Sequence, residues 1–103
     1  MDKNYTLSVL PLFVDDLNEI TDYIANILKN PTAANALIDN VEEAINKRLP
    51  FCESFPKFPS IKERDHPYYF ITVKNYIIFY VVTGNVMEVR RIVYSKRNTD
   101  GLI

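Results

Sequence analysis

Several residue types from which functional sites are commonly built are scarce in this sequence. Its 103 residues include two glycines, one cysteine and one histidine, and no tryptophan. A glycine-rich phosphate loop is excluded because it needs more glycines, and a metal site of His and Cys ligands is excluded because it needs more of both. Cys52 has no second cysteine with which to form an internal disulfide. We therefore expect neither a cofactor nor a bound metal.

Long apolar runs are also missing. Asp, Asn or Lys interrupts every hydrophobic segment before it reaches the roughly 20 apolar residues that cross a bilayer. A single cysteine fits a reducing compartment, so we expect a cytoplasmic protein that does not contact a membrane. Hydrophobic residues nevertheless make up 48% of the chain, which is enough for a buried core. Because the length is typical of one domain, we predict a single domain over residues 1–103.

Charge is nearly balanced overall but unevenly distributed. The formal net charge is -1, with acids in excess up to Cys52 and bases in excess from Glu53 onward. An anionic partner would therefore meet the second half of the chain first. With so small a net charge, the chain lacks the strongly basic character of a dedicated nucleic-acid-binding domain.

Four segments have the composition and periodicity of β-strands. The first alternates, which places Tyr5, Leu7 and Val9 on one side of a half-buried strand. The other three are rich in Val, Ile, Tyr and Phe, and the spacers between them are short enough for hairpin turns. The predicted strands are Tyr5–Leu10, Tyr68–Val73, Tyr76–Val82 and Val86–Tyr94.

Two amphipathic helices are predicted between the first and second strands. They run from about Phe13 to Leu28 and from Pro31 to Leu49, because apolar residues recur there at three- and four-residue steps. Asp15 and Asp16 are expected in the first turn of the first helix, where a carboxylate complements the helix dipole. Asn30 is the predicted N-cap of the second helix. The order β-α-α-β-β-β predicts an α+β fold, with an antiparallel helical hairpin packed on a small, mainly antiparallel sheet.

Arg90 and Arg91 are adjacent in the last predicted strand, so their side chains should lie on opposite faces of the sheet. One of them must sit among apolar neighbours, where a guanidinium needs a carboxylate or carbonyl partner. The more frequent arrangement is an arginine that bridges the sheet to an acidic residue of a helix, and the alternative is an arginine that faces a ligand. The sequence leaves open which of the two is buried. The predicted faces are Met87, Val89, Arg91 and Val93 on one side, and Glu88, Arg90, Ile92 and Tyr94 on the other.

Two further features have a structural interpretation that we prefer. Cys52 and His66 could form a nucleophilic pair, but no third group that would orient them is identifiable, so a buried structural cysteine is the better interpretation. The tyrosines of the predicted strands could stack on nucleic-acid bases. Tyrosines in strands more often fill cross-strand packing positions, so we assign most of them to the core.

Four passages span nearly the whole chain in a specific order. They are DDLNEITDYI (Asp15–Ile24), PTAANALIDNVEEAINKRLPFCESFP (Pro31–Pro56), VKNYIIFYVV (Val73–Val82) and VRRIVYSKRNTDGLI (Val89–Ile103). These passages resemble the first helix, the second helix with its trailing leucine and proline, a central strand, and the last strand with its tail in the RelE/ParE toxins of type II toxin–antitoxin systems. Plasmid stabilisation proteins belong to the same superfamily.

The resemblance implies a protein that poisons its host cell unless a cognate antitoxin binds it. RelE-like relatives cut messenger RNA on the ribosome with basic residues of the central strands, whereas ParE-like relatives inhibit DNA gyrase. Where basic catalytic groups would be expected, this sequence has Tyr69, Ile71 and Ile77, and Ile103 falls near the terminal tyrosine position. An isoleucine can neither transfer a proton nor stabilise developing charge.

We therefore predict a ParE-like toxin that inhibits its target by protein binding, with DNA gyrase as the candidate target. The alternatives are a ribosome-dependent mRNA endonuclease, whose partners would be the ribosome and mRNA, and a non-toxic relative that still binds antitoxin. Assembly as a homo-oligomer or as a toxin–antitoxin hetero-oligomer stays open, and no catalytic residue is assigned. By the resemblance, Arg91, Tyr94 and Arg97 fall on the family's Arg, His-or-Tyr and Arg positions. The candidate functional surface is Arg90, Arg91, Tyr94, Lys96 and Arg97.

Overall fold

A computed structural model describes residues 4–58 and 67–96 of the chain. Its elements follow the predicted order, and the α+β class is confirmed. None of the helices in the described ranges is long and apolar enough to cross a membrane. The elements are strand β1 (Thr6–Val9), helix α1 (Pro11–Asp22) with a π-helical turn (Tyr23–Ile27), helix α2 (Pro31–Arg48) with a 3-10 turn (Leu49–Phe51), and strands β2 (Tyr69–Val73), β3 (Tyr76–Thr83) and β4 (Val86–Tyr94).

The four strands form one sheet in the order β1-β4-β3-β2. The pairs β2–β3 and β3–β4 are antiparallel, whereas β1 lies parallel to β4, with Thr6 beside Val86 and Val9 beside Val89. The prediction of a mainly antiparallel sheet is therefore confirmed. The first strand of the chain lies at one edge, and β2 lies at the other.

Two-residue turns connect the antiparallel strands. Lys74 and Gly84 are the first residues of these turns, with φ angles of 53° and 61°. A positive φ at the first turn residue alone is typical of a type II′ turn, which suits the right-handed twist of the flanking strands. The predicted spacers are confirmed, except that Thr83 pairs with Val86 and so belongs to β3.

Helix α1 begins at Pro11, two residues before the predicted start. Proline is favoured at the first helical position because its missing N–H would have had no partner there. The earlier start moves Asp15 and Asp16 out of the first turn, so the prediction that they complement the helix dipole was wrong. In α2 the predicted cap is confirmed, because the Asn30 side chain accepts a hydrogen bond of 3.1 Å from the backbone N–H of Ala33.

The helices cover one face of the sheet. Phe13 from α1 and Val41 from α2 are 4% and 1% exposed, and they pack with the buried residues of that face. Cys52 is fully buried in the same core, as expected of a structural cysteine. His66 lies outside the described residues. The strand residues of this core are Tyr69, Ile71, Val73, Ile78, Tyr80, Met87, Val89 and Ile92.

The opposite face of the sheet is also buried in part. Phe58 packs edge-on against Phe79 and Phe70, at ring-centroid distances of 4.8 and 5.8 Å. A sheet buried on both faces needs apolar residues at successive positions, which explains the continuous apolar sequence of β3. The fully buried residues of this second cluster are Tyr68, Phe79, Val81 and Val93.

A β-bulge interrupts the pairing of β3 with β4. Phe79 pairs with Arg91 and Tyr80 pairs with Val89, so Arg90 has no residue opposite it. An extra residue in one strand reverses the alternation of the residues that follow. Ile92 is therefore buried on the helix-covered face and Val93 on the other. The predicted faces of β4 were wrong beyond Arg90 for this reason.

Strand β1 is less buried than its alternating pattern predicted. Tyr5 packs against the core, but Leu7 and Val9 are 37% and 40% exposed. The helices lie mainly against β4 and β2, so this edge strand is less covered. Leu7 and Val9 do share the helix-covered side with Tyr5, as predicted, because they pair with Met87 and Val89, but they are more exposed than a half-buried strand suggests.

Candidate functional site

Arg91 holds β4 against α1. Its Nε and Nη2 atoms donate to the two carboxylate oxygens of Asp16 at 2.7 and 2.9 Å, and both side chains are largely buried. The hydrogen bonds that Arg91 donates to Asp16 raise the pKa of Arg91 despite its burial. The predicted bridge between a strand arginine and an acidic residue of a helix is confirmed, and Arg91 is its arginine.

Asp16 has a second role at the edge of the sheet. Its Oδ2 atom accepts a hydrogen bond of 3.3 Å from the backbone N–H of Ile92. Strand β1 ends at Val9. Just after it, Leu10 N donates a hydrogen bond of 3.0 Å to the carbonyl of Val89 in β4. Helix α1 therefore takes the place of a neighbouring strand beside the second half of β4.

Arg90 lies on the sheet face away from the helices, and the bulge turns Arg91 to that face as well, so the predicted placement of the two arginines on opposite faces was wrong. Arg90 donates from Nε to Glu88 at 2.9 Å and from Nη1 to the Tyr68 hydroxyl at 3.2 Å. Burial lowers the pKa of Arg90, but the bonds with Tyr68 and Glu88 outweigh this effect and raise it. Its side chain is 39% exposed, compared with 20% for Arg91, so Arg91 is the more buried of the two.

Tyr94 and Lys96 lie at the exposed end of β4. The Tyr94 ring is 39% exposed and meets the Tyr76 ring edge-on at 5.9 Å. Ser95 donates to the carbonyl of Asn75 at 2.8 Å, which fixes the strand end against the β2–β3 turn. Arg97 lies outside the described residues. Arg90 and Arg91 thus bind different partners, and Tyr94 is the candidate residue that lines an open surface.

An open groove of about 620 Å³ lies between α1 and the strand ends, beside Tyr94. Tyr23 and Leu28 form one wall and are 54% and 57% exposed. Tyr76 and Tyr94 form the other wall. Sequence reasoning missed this groove because its walls come from three distant parts of the chain. We call it the tyrosine groove, and its lining residues are Glu19, Ile20, Tyr23, Leu28, Tyr76 and Tyr94.

The tyrosine groove continues at both ends. Beyond Leu28 and Tyr76 it opens into a depression of about 320 Å³ that Lys74 lines. At the other end, a recess of about 90 Å³ includes Asp16 and Glu19. The extended groove thus has apolar and aromatic walls at its centre, Lys74 at one end, and Glu19 beside the Asp16–Arg91 ion pair at the other.

The wall at Tyr23 is shaped by irregular backbone. A π-helical turn replaces the last α-helical turn, with Leu28 N bound to the Tyr23 carbonyl at 3.0 Å. Lys29 then adopts a φ of 53°, in the left-handed region that a residue with a Cβ seldom occupies. π-Helical turns occur often at functional sites. This geometry leaves Tyr23 and Leu28 exposed beside the strand ends.

The positions at which an RNA-cleaving relative would carry basic groups are occupied by packing residues. Tyr69 is 8% exposed and stacks on Tyr80 at 5.3 Å, and Ile71 is 6% exposed in the same core. Ile77 packs on the opposite face, and Ile103 lies outside the described residues. Within residues 4–58 and 67–96, no group of three acidic, His or Cys side chains could hold a metal ion.

Arg48 is a partly buried cation that sequence reasoning missed. It donates from Nη1 to the carbonyl of Phe70 at 2.9 Å and to the Tyr80 hydroxyl at 3.1 Å, and its guanidinium lies 3.5 Å from the centre of the Phe55 ring. The Tyr80 hydroxyl in turn donates to the carbonyl of Cys52 at 2.7 Å. This network joins the end of α2 to the sheet and is structural.

These features define a small α+β protein with a preformed aromatic groove at one end of its sheet. Residues 7–99 match the family described as the ParE toxin of type II toxin–antitoxin systems, parDE. Since the match covers most of the chain, the protein belongs to the ParE toxin family. Comparison with curated protein sequences gave no match.

A solved structure supports the same fold. It is the "Chromosomal ParDE TA system from P. aeruginosa", which superposes with a TM-score of 0.73 and covers 90% of this chain and 98% of that one. The two sequences are 19% identical. At this identity the similarity shows a shared fold.

Proposed function

We propose that this type II toxin acts on its target by protein binding, with DNA gyrase as the candidate target, and that a cognate antitoxin neutralises it by occupying the tyrosine groove. The observation that carries the proposal is the groove itself, with three tyrosines and Leu28 along its walls. Partly exposed aromatic side chains at the centre of a concave surface are the anchors that dominate protein interfaces.

The groove is suited to binding because contacts within the chain hold both of its walls in place. The Arg91–Asp16 ion pair holds α1 beside β4, and the bond from Ser95 to Asn75 holds the end of β4. Binding to a preformed surface avoids the entropy cost of ordering it.

The ends of the groove favour one kind of antitoxin segment. The apolar walls of the tyrosine groove would accept the apolar face of an amphipathic segment, as other helix-binding grooves do. Lys74 at one end favours an acidic residue of the antitoxin, and Glu19 at the other favours a basic residue. Tyr94 lies in the groove and belongs to the candidate functional surface, so a bound antitoxin would cover the residue that we assign to target contact.

The charge states of the described residues also favour binding over RNA cleavage. Attack by a 2′-hydroxyl needs a group that accepts its proton near neutral pH. Burial raises the pKa values of Tyr69, Tyr76 and Tyr80, so these hydroxyls stay protonated. The pKa values of Arg90 and Arg91 are raised as well, so neither can act as a base.

Two assays compared side by side test the choice of target. We expect the purified protein to inhibit supercoiling by DNA gyrase and to leave messenger RNA intact in a translating extract, as mapped by primer extension. Tyr94→Ala should weaken gyrase inhibition, whereas Phe51→Ala, at an exposed position away from the groove, should not. Codon-phased cleavage that disappears in Arg97→Ala would establish the endonuclease instead. Inactivity in both assays would favour a non-toxic relative.

A separate experiment tests neutralisation. Co-expression with the small open reading frame beside the toxin gene should give a complex that stays together in size exclusion at micromolar concentration. Separate elution of the two proteins would contradict the proposal. We further propose a single domain over residues 1–103 and action in the cytoplasm, where a target such as gyrase would be found.

A further inference from the structure

The edges of the sheet differ in how they are protected. Beside the second half of β4, Asp16 accepts the backbone N–H of Ile92. Along β2, Lys57 bridges to Tyr69, and Phe58 N donates to the carbonyl of Tyr68 at 2.6 Å. Within the part of the chain that the structure describes, no segment pairs with the outer edge of β1. An unpaired strand edge is a template for another strand.

The backbone of β1 presents two residues to that free edge. Thr6 N donates to the carbonyl of Asn85 at 2.7 Å, and Leu10 N donates to the carbonyl of Val89. In a parallel pair, every second residue of a strand directs both its N–H and its C=O group to the same neighbouring strand. Since the even-numbered residues face β4, the backbone groups of Leu7 and Val9 point outward.

The side chains of this edge lack the features that prevent strand pairing. Natural edge strands commonly carry a charge, a proline or a bulge. Residues 4–14 contain no charged side chain, and β1 contains neither a proline nor a bulge. Leu7 and Val9 share one face and are among the exposed large apolar residues. The whole chain has a net charge of only -1, so two copies repel each other weakly.

We propose that two copies of this protein pair through β1, antiparallel about a two-fold axis at Ser8, and so form one continuous sheet. In this register Leu7 of each copy lies opposite Val9 of the other, and each such pair exchanges two backbone hydrogen bonds. The outward groups of both residues are satisfied at once, and apolar side chains meet apolar side chains. An uncharged edge suits a second copy of itself, because a two-fold axis brings identical groups close together.

The interface is short, so we expect a weak dimer that is populated at tens of micromolar rather than at nanomolar concentration. The surface lies away from the tyrosine groove and does not rest on the proposed function. The dimerisation proposal can therefore be wrong while the proposed function is right, and the proposed function can be wrong while the dimer forms.

A cysteine pair tests the register. Ser8 would oppose its own copy at a Cα distance of about 4.5 Å, which a disulfide can bridge. Thr6 would lie about 13 Å along the strands from its copy. Under mild oxidation the full chain with Ser8→Cys should form a covalent dimer, whereas Thr6→Cys should stay monomeric. The native Cys52 is fully buried and does not interfere. Cross-linking of both variants to the same extent, or of neither, would overturn the proposal.

Sedimentation equilibrium tests the association itself. Leu7→Lys places a charge on the edge and should weaken self-association at least tenfold, while Ile27→Lys, at a position that is 66% exposed in the π-helical turn, should leave it unchanged. Circular dichroism confirms that both variants fold. A wild type that is monomeric throughout, or an edge that only an antitoxin strand occupies, would overturn the proposal.

Discussion

Arg91 in β4 and Asp16 in α1 are joined by two parallel hydrogen bonds at the point where β1 no longer accompanies β4. The carboxylate also satisfies the N–H of Ile92, so one acidic side chain completes both an ion pair and a sheet edge. Bidentate pairs of this kind fix orientation as well as distance.

Removing either member of this pair should destabilise the protein. We expect Asp16→Ala and Arg91→Ala each to lower the free energy of unfolding by about 2 to 4 kcal/mol, because the remaining charge is left largely buried. In a double-mutant cycle measured by urea denaturation, the coupling should be about 1 to 3 kcal/mol. The exposed Lys47–Glu43 pair is the control and should couple much more weakly, because solvent screens it. Equal coupling for both pairs would contradict the role of burial.

Both hairpin turns should be more stable with glycine at their first residue, so adding glycine at one and removing it at the other should have opposite effects. Lys74 and Gly84 occupy equivalent turn positions with positive φ, but only the second is glycine. Lys74→Gly should stabilise the protein by about 0.5 to 1 kcal/mol, because it removes the strain of a side chain at positive φ. Gly84→Ala should destabilise it by about 1 kcal/mol through φ alone, since nothing lies within 4 Å of the added Cβ. Thermal denaturation of both variants measures the signs, and a shared sign would refute the assignment of the turns.

The buried hydroxyl of Tyr80 should matter more than an exposed one. It accepts from Arg48 and donates to the carbonyl of Cys52. We expect Tyr80→Phe to cost about 1 to 3 kcal/mol of unfolding free energy, because two buried partners lose a hydrogen bond. Tyr23→Phe, at an exposed position, should change it by less than about 0.5 kcal/mol. If chemical denaturation gave similar values for both variants, this network would not contribute to stability.

Tyr5 should titrate at unusually high pH. The hydrogen bond from its hydroxyl to Glu53, 2.6 Å long, raises the pKa to about 12. The bond requires a protonated hydroxyl, so its contribution to stability is complete below the ordinary tyrosine pKa of about 10 and is lost as the pH rises through about 12. An ultraviolet difference titration against Tyr5→Phe isolates this step. Glu53→Gln should move it toward about pH 10, whereas Glu42→Gln, remote from Tyr5, should leave it in place.

The tyrosine groove should be sensitive to a charge on its wall. Leu28→Asp should weaken antitoxin binding at least tenfold, since the carboxylate would have to lose its hydration against apolar side chains. The matched control is Leu12→Asp, at a leucine that is 48% exposed near the start of α1 and outside the groove. Calorimetric titration with the purified antitoxin measures both. Equal losses would place the antitoxin elsewhere.

Local patterns predicted most of the fold. Helix periodicity, the Asn30 cap and the spacers between apolar segments determined the elements, because each depends on residues close in sequence. The faces of β4 beyond Arg90 were not predictable, because a bulge depends on how two strands pair. The residue type at position 90 does not indicate one. The exposure of Leu7 and Val9 was missed because an alternating pattern indicates only a strand with one apolar face. It does not indicate whether a helix covers that face.

The candidate site was predicted only in part. Tyr94 does line a groove, and an acidic helix residue does bind a strand arginine. Leu28 was expected in the apolar stripe of the first helix, which is wrong, and Tyr23 was assigned to no surface. The helical repeat places residues on a face but does not reveal the π-helical turn that exposes them. Tyr76 was interpreted as core, and it is both half-buried and a wall of the groove.

The parallel pairing of β1 with β4 makes the order of synthesis relevant to assembly. As the chain leaves the ribosome, the helices and the β2–β3 hairpin have their local partners early. Strand β1, in contrast, has no neighbour until Val86–Val89 have emerged. That contact, distant in sequence, is the slow kind to form. Because Arg91 and Tyr94 belong to the same strand, the completed sheet, the ion pair with Asp16 and the second wall of the groove arise together, once β4 has been synthesised.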